Sequence, residues 1–170
     1  MERTWILVGM MGAGKSAVGR ALADLSGRVF QDTDTLLQNR LGRSIPQLFE
    51  RFGEETFREH ETSLLRSLEQ GPCVLATGGG IACRPENWEL MRSLGVTIYL
   101  RASLDTLKSR LEASKKRRPL LEVEDWERRI EDLLSARLPF YEQADMAIDV
   151  DDRSIEAIAE DILLKISERC

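Results

Sequence analysis

Short unbroken apolar runs alternate along this chain with longer segments whose apolar residues recur every three or four positions. Trp5-Ile6-Leu7-Val8 reads as a strand, and Ser16 to Leu25 as a helix with Ala17, Val18, Ala21, Leu22 and Leu25 on one side, ended by Gly27. Residues 28–31, Arg-Val-Phe-Gln, read as a second strand that delivers Asp32-Thr33-Asp34 at its C-terminal end. A short helix from Thr35 to Leu41 closes at Gly42. Ser44-Ile45-Pro46-Gln47 is a strong helix start, with serine as N-cap, proline in the first turn and glutamine three residues on. That helix carries Leu48, Phe49 and Phe52 to Gly53, and another runs from Glu54 to Leu68 with Phe57, Leu64 and Leu65 packed.

Gly71-Pro72 punctuates the chain before the apolar run Cys73-Val74-Leu75-Ala76, which reads as a strand covered on both faces and leads into Thr77-Gly78-Gly79-Gly80. Pro85 to Leu94 reads as a helix, Val96 to Leu100 as a strand, and Leu104 to Ala113 as a helix capped by Ser103. Helix returns from Asp125 to Leu138. Ala147 to Val150 is the last strand and Ser154 to Ser167 the last helix. Strands alternating with amphipathic helices predict an α/β fold: a largely parallel sheet with helices on both faces. The 170 residues suit one domain, and no repeat or low-complexity segment competes with that reading.

The candidate chemistry begins at Gly9 to Ser16, GMMGAGKS, which follows a strand and opens a helix, as the G-x-x-x-x-G-K-[ST] phosphate loop requires. Glycines let successive N–H groups converge on an anion, and the helix N-terminus adds unpaired donors and its positive dipole end. Gly12, Ala13, Gly14 and Ala17 then belong to the nucleotide cradle. Lys15 reaches the β- and γ-phosphates and the Ser16 hydroxyl a Mg²⁺.

Many phosphate-loop proteins place an aspartate after a third strand, but here that strand ends in Thr-Gly-Gly-Gly. The nearest carboxylates are therefore Asp32 and Asp34. Alternating along an extended segment, they should point in different directions, Asp32 toward Mg²⁺ and its waters and Asp34 toward an acceptor hydroxyl, as orienter or proton acceptor. Gly78 to Gly80 reads either as a flexible loop or as backbone approaching a ligand, and its place after a central strand favours the ligand. Arg58 and Glu61, three apart on a helix, share a face, and Glu61 can hold a guanidinium that binds an anionic acceptor. Arg137 stands at an expected helix end beside the break at Pro139. His60, between two glutamates, reads as solvated. The run Ser114-Lys115-Lys116-Arg117-Arg118-Pro119 is either a solvated loop or a lid, and phosphoryl transfer, which needs positive charge and exclusion of water, favours the lid.

A net charge of −5 argues against a general nucleic-acid binder. No stretch is apolar and long enough to span a bilayer, and the N-terminus lacks a signal-peptide layout, so a cytoplasmic protein is expected. Cys73, Cys83 and Cys170 have neither metal-ligand spacing nor an even count.

GMMGAGKS, the DTD of Asp32 to Asp34, FGEETFREHE across Phe52 to Glu61, TGGG at Thr77 to Gly80, RRPLL from Arg117 to Leu121 and ARLPFYEQA from Ala136 to Ala144 together resemble shikimate kinase, in the family's order and roughly its spacing. The resemblance covers nearly the whole chain. It implies a three-layer, NMP-kinase-like P-loop fold with a five-stranded parallel sheet, organised as one domain with an acceptor-binding region at about 33–61 and a lid at about 112–124. It also implies ATP and Mg²⁺ as cosubstrate and cofactor, and transfer of the γ-phosphate to the 3-hydroxyl of shikimate by a single-domain enzyme expected to be a monomer. Carried onto this sequence, shikimate falls to Asp34, Arg58, the backbone around Gly79 and Gly80, and Arg137. Lys15 and Arg118 resemble the phosphate-contacting pair, Ser16 and Asp32 the magnesium side, and Arg110 and Arg153 the nucleotide side. Pro119 biases Arg118 toward extended backbone, which favours Arg118 over Arg117 for the phosphates. A gluconate kinase would share the glycine loop without the other motifs, a nucleoside monophosphate kinase would need a base pocket, and a non-catalytic ATP-binding protein would need none of the acceptor residues.

Overall fold

Five strands form where the apolar runs stand: β1 (Thr4–Val8), β2 (Val29–Asp32), β3 (Cys73–Ala76), β4 (Gly95–Arg101) and β5 (Met146–Asp149). All pair in parallel, in the order β2-β3-β1-β4-β5. This computed structural model describes residues 3–169, so Cys170 lies outside the described residues, while Cys73 and Cys83 are free thiols. The helices are α1 (Lys15–Ser26), α2 (Thr33–Leu41), α3 (Ile45–Ser67), α4 (Pro85–Leu94), α5 (Leu104–Ala113), α6 (Trp126–Tyr141) and α7 (Ile155–Ser167), with 3₁₀ turns at Ile81–Cys83 and Pro119–Leu121. Among the described residues no helix is long and apolar enough to cross a membrane.

β1 is central and all five of its residues are buried, which is why its sequence shows no polar alternation. Its neighbours β3 and β4 end on the same side of the sheet, so the loop after β1 and the glycines after β3 meet where open parallel sheets bind ligands. Ile6, Leu7, Leu75, Ile98 and Ile148 on the sheet, Val18 and Leu22 on α1, and Ile158 and Ile162 on α7 form the main core. Each such side chain contributes roughly 1.5–3 kcal/mol by leaving water. Leu37, Leu48, Phe57 and Leu64 make a second, smaller core between α2 and α3. That second core holds the region carrying Asp34 and Arg58 to one side of the sheet.

Two local expectations need correction. Asp34 is not in extended backbone: α2 starts at Thr33, because Asp32 acts as its N-cap and accepts a 2.9 Å hydrogen bond from the Asp34 N–H. The two helices expected on either side of Gly53 do form within α3, and Gly53 leaves helical geometry between them with φ 77° and ψ 172°, a conformation suited to glycine. Pro139 does not break α6, which continues to Tyr141. Only one intrahelical N–H is lost there. Glu142 N–H still bonds Leu138 O at 3.0 Å, and buried Tyr141 anchors the end by stacking on Tyr99 with ring centroids 5.2 Å apart.

Candidate active site

The loop between β1 and α1 takes its shape from glycines with positive φ at Gly9, Gly12 and Gly14. α1 begins on Gly14 with no side chain over its first-turn N–H groups, so those donors are open to an anion. Lys15 is buried at 8% exposure and gives two of its three N–H donors to the loop itself, 2.7 Å from Gly9 O and 2.8 Å from Met10 O. Burial pushes its pKa down to about 7, with Arg137 and Lys116 adding to the effect and Asp34 and Asp32 opposing it. Arg110 Nη1 lies 3.0 Å from Ala13 O on the outside of the loop. Arg153 stands apart from this cluster: its guanidinium bonds Asp149 O, Ala157 O and Asp161 at 3.0–3.1 Å.

Ser16 Oγ donates a 2.6 Å hydrogen bond to Asp32 Oδ2, which brings together the two residues expected on the magnesium side. One carboxylate and one hydroxyl suit Mg²⁺, which keeps several waters and takes few protein ligands. Among the described residues no group of three or more His, Cys, Asp or Glu side chains converges as a self-sufficient metal cage.

Beside this pair opens a cavity of ≈ 450 Å³ walled by Asp34, Arg58, Glu61, the Gly78–Gly80 turn and Arg137, with Phe49 and Phe57 as apolar surface. The glycines are explained by what presses on them. A Cβ at Gly80 would fall inside the Arg58 guanidinium, one at Gly79 would sit 3.1 Å from Arg137 Nη1, and one at Gly78 would meet Glu61 Oε1 at 2.9 Å. The Gly78 N–H is held by Thr33 Oγ1 at 2.9 Å, and the Gly79 carbonyl accepts from the Tyr141 hydroxyl. Asn87 Nδ2 and Trp88 Nε1 brace the following 3₁₀ turn with 2.7 Å bonds to Ile81 O and Ala82 O.

The charges in this wall are mutually supported. Burial alone would depress the Arg58 pKa, but its 2.7 Å bond to Glu61 raises it on balance and keeps the guanidinium charged. Glu61 is raised to about 7 by burial, against the pull of Arg58. Asp34 is raised by burial, with Lys116 the strongest opposing charge. Arg137 is 5% exposed and its Nη1 has no hydrogen-bond partner among the described residues, so a buried cationic donor is open to an anion in the cavity.

Lys116 to Leu120 complete the lining of the cavity. The two adjacent arginines differ. Arg117 is held by Glu50 at 2.6 Å and by Glu122, whereas Arg118 bonds, among the described residues, only the neutral Ser114 Oγ and Lys116 O, and burial lowers its pKa. Three contributors carry no individual role in the sequence reading: Thr33 and Tyr141 stand inside quoted motifs, and Lys116 inside the basic run read as a lid.

A family model described as shikimate kinase matches residues 11–167. The shikimate kinase of Synechococcus sp. (strain CC9605) is 43% identical over 162 residues, covering 95% of this chain and 81% of the relative. That of Enterococcus faecalis (strain ATCC 700802 / V583) is 43% identical over 165 residues, 96% of this chain and 98% of the relative. A solved structure of shikimate kinase from Acinetobacter baumannii in complex with shikimate superposes with a TM-score of 0.94 at 38% identity, covering 99% of this chain and 95% of that one.

Proposed function

The chain belongs to the shikimate kinase family and moves the γ-phosphate of ATP to the 3-hydroxyl of shikimate, and we propose that Lys15, Asp34 and Arg118 are its reacting groups. The observation that carries this assignment is the convergence of Asp34, Arg58 and Arg137 on one cavity whose floor runs to Ser16 and Asp32. Arg58 and Arg137 hold the acceptor's carboxylate, the first as a charge fixed by Glu61 and the second through its unpartnered Nη1. With the carboxylate end fixed, the hydroxyl end lies toward Asp34. Asp34 orients the reacting hydroxyl and takes its proton, a role that its burial-raised pKa favours. The backbone at Gly79 and Gly80 lets both arginines approach closely.

On the donor side, the N–H groups from Gly12 to Ala17 would surround the phosphates, and the two bonds that Lys15 makes to the loop leave its third ammonium donor for the β- and γ-phosphates. Ser16 and Asp32 would hold Mg²⁺, which when bound neutralises phosphate charge during transfer. Arg110 supports the nucleotide side of the loop, and Arg153 is assigned to the same side. Arg118, free of acidic partners, meets charge on the transferring group while the lid keeps water out. The acceptor region at about 33–61 and the lid at about 112–124 are thus two working parts of one domain. The reading extends to a cytoplasmic monomer that binds neither nucleic acid nor membrane, which sedimentation of the purified protein tests for the monomer.

An ADP-release assay across shikimate, quinate, gluconate and nucleoside monophosphates is the direct test. Turnover that depends on shikimate is expected, with gluconate and the nucleotides inactive. Comparable turnover on gluconate would overturn the acceptor assignment.

A further inference from the structure

Asp34 presents its two carboxylate oxygens to different neighbours. Oδ1 lies on the turn side, 3.1 Å from where a Gly78 side chain would stand. Oδ2 faces the lid, with Lys116 Nζ 3.8 Å away. That gap is too long for a hydrogen bond between the two groups, and a single oxygen about 2.8 Å from each would complete the triangle. The neighbouring lid arginines do not compete for this position. Arg117 is turned to Glu50 and Glu122, and Arg118 to Ser114 Oγ and the Lys116 carbonyl.

We propose that Lys116 is a further acceptor-binding residue, donating to the C4 hydroxyl of shikimate, the neighbour of the reacting C3 hydroxyl, while Asp34 Oδ2 accepts from that same hydroxyl. The inference rests on the reading of Asp34 as an acceptor-site residue. A hydroxyl both donates and accepts, so the gap between an ammonium and a carboxylate satisfies it in both senses. It follows that the lid closes on the acceptor as well as on the phosphates. An acceptor with no hydroxyl at this place leaves the pair unbridged and gains nothing from Lys116. The lysine is therefore a specificity residue for a vicinal diol.

The test compares the parent with Lys116→Met, Lys116→Arg, Lys115→Met and Asp34→Asn, using calorimetric affinity and steady-state kinetics with shikimate and with 4-deoxyshikimate. Lys116→Met should weaken shikimate about tenfold, the usual size for one charged hydrogen bond, with the ATP KM nearly unchanged. The same substitution should cost nothing with 4-deoxyshikimate. Lys116→Arg should recover part of the affinity, and Lys115→Met should behave as the parent. Unchanged shikimate affinity in Lys116→Met, an equal loss on both acceptors, or an equal loss in Lys115→Met would each overturn the proposal. If Asp34→Asn leaves shikimate binding intact, the underlying Asp34 reading fails. If Asp34→Asn weakens binding and Lys116→Met does not, only the Lys116 contact fails.

Discussion

Arg58 Nη1 donates a 2.7 Å hydrogen bond to Glu61 Oε2 one turn further along α3, and Glu61 is only 1% exposed. The pair is built into the wall of the acceptor cavity, so the orientation of Arg58 is fixed before any ligand arrives. Arg58→Leu and Arg137→Leu should each raise the shikimate KM strongly or abolish saturation. Loss of a charged contact of this kind costs about 2–5 kcal/mol. ATP affinity should hold in both variants. Calorimetry showing equal weakening of ATP and shikimate would instead assign these arginines to the nucleotide side.

The same pair sets a pH dependence. Burial raises the folded-state pKa of Glu61 from 4.5 to about 7, so between those values the folded protein binds the extra proton and the unfolded chain does not. The Glu61 contribution is therefore present in full below pH 4.5 and is lost as pH rises through 7. Glu61→Gln has no proton to lose there. Melting curves of the ligand-free proteins should show the parent losing stability relative to Glu61→Gln between pH 5 and pH 8, as parallel curves would not.

Much of this architecture is legible in local sequence because its determinants are local. Ser44 and Gln47 form the reciprocal cap that their spacing suggests, with bonds of 3.4 and 2.9 Å, and Gly27 and Gly42 end α1 and α2 in left-handed conformation. Where two local signals compete, reading fails: Asp32 serves both as the last residue of a strand and as a helix cap, and the cap turns Asp34 into a helix. Pro139 misleads for another reason, since the burial of Tyr141 against Tyr99 is a tertiary term that proline chemistry does not reveal. The lid contacts are less visible still. Arg117 meets Glu50 across 67 residues of chain, and no periodicity links them.

The glycines after β3 should be intolerant for a steric reason specific to this site. A methyl group at Gly80 would displace the Arg58 guanidinium, and one at Gly79 would press on Arg137 Nη1 and on the Met11 backbone 3.2 Å away. Gly80→Ala should raise the shikimate KM with little effect on ATP KM, because the Arg58 guanidinium must give way from the position that Glu61 holds. Gly79→Ala, caught between side chain and backbone, should lower the melting temperature too. Parent-like shikimate affinity in Gly80→Ala would show that Arg58 need not occupy the position seen here.

Lys15 provides a signature of nucleotide binding that does not depend on turnover. Burial lowers its folded-state pKa from 10.5 to about 7, so at pH 8 the free protein holds this group mostly neutral. In stability terms the unfolded chain carries the extra proton between those values, so this group stabilises the fold progressively as pH rises from 7 toward 10.5. Bound phosphates favour the ammonium. ADP binding at pH 8 should take up close to one proton, read as a dependence of calorimetric enthalpy on buffer ionisation enthalpy, and the uptake should vanish below about pH 6. Lys15→Ala should lose both the uptake and most phosphoryl transfer while remaining folded by circular dichroism. Absence of buffer dependence at pH 8 would place the lysine as already charged in the free protein.

The two lid arginines should separate by kinetics because their surroundings differ. Arg118 has no carboxylate to satisfy it, is lowered in pKa by burial and lines the cavity, so its charge is available to the transferring group. Arg118→Ala should cut kcat by far more than it changes the shikimate KM, since the contact strengthens as charge develops on that group. Arg117 bonds Glu50 on α3 and Glu122, so it ties residues 114–121 to α3. Exposed ion pairs of this kind contribute little to stability. Arg117→Ala should therefore speed hydrogen exchange across 114–121 in the ligand-free protein and leave kcat within a few fold of the parent. ATP analogue plus shikimate should slow that exchange in the parent and in Arg117→Ala alike, because ligand charge then holds the segment through Lys116 and Arg118. Greater loss of kcat in Arg117→Ala than in Arg118→Ala would reverse the assignment of the two arginines. Exchange that ignores the ligands would show that residues 114–121 do not close over the site at all.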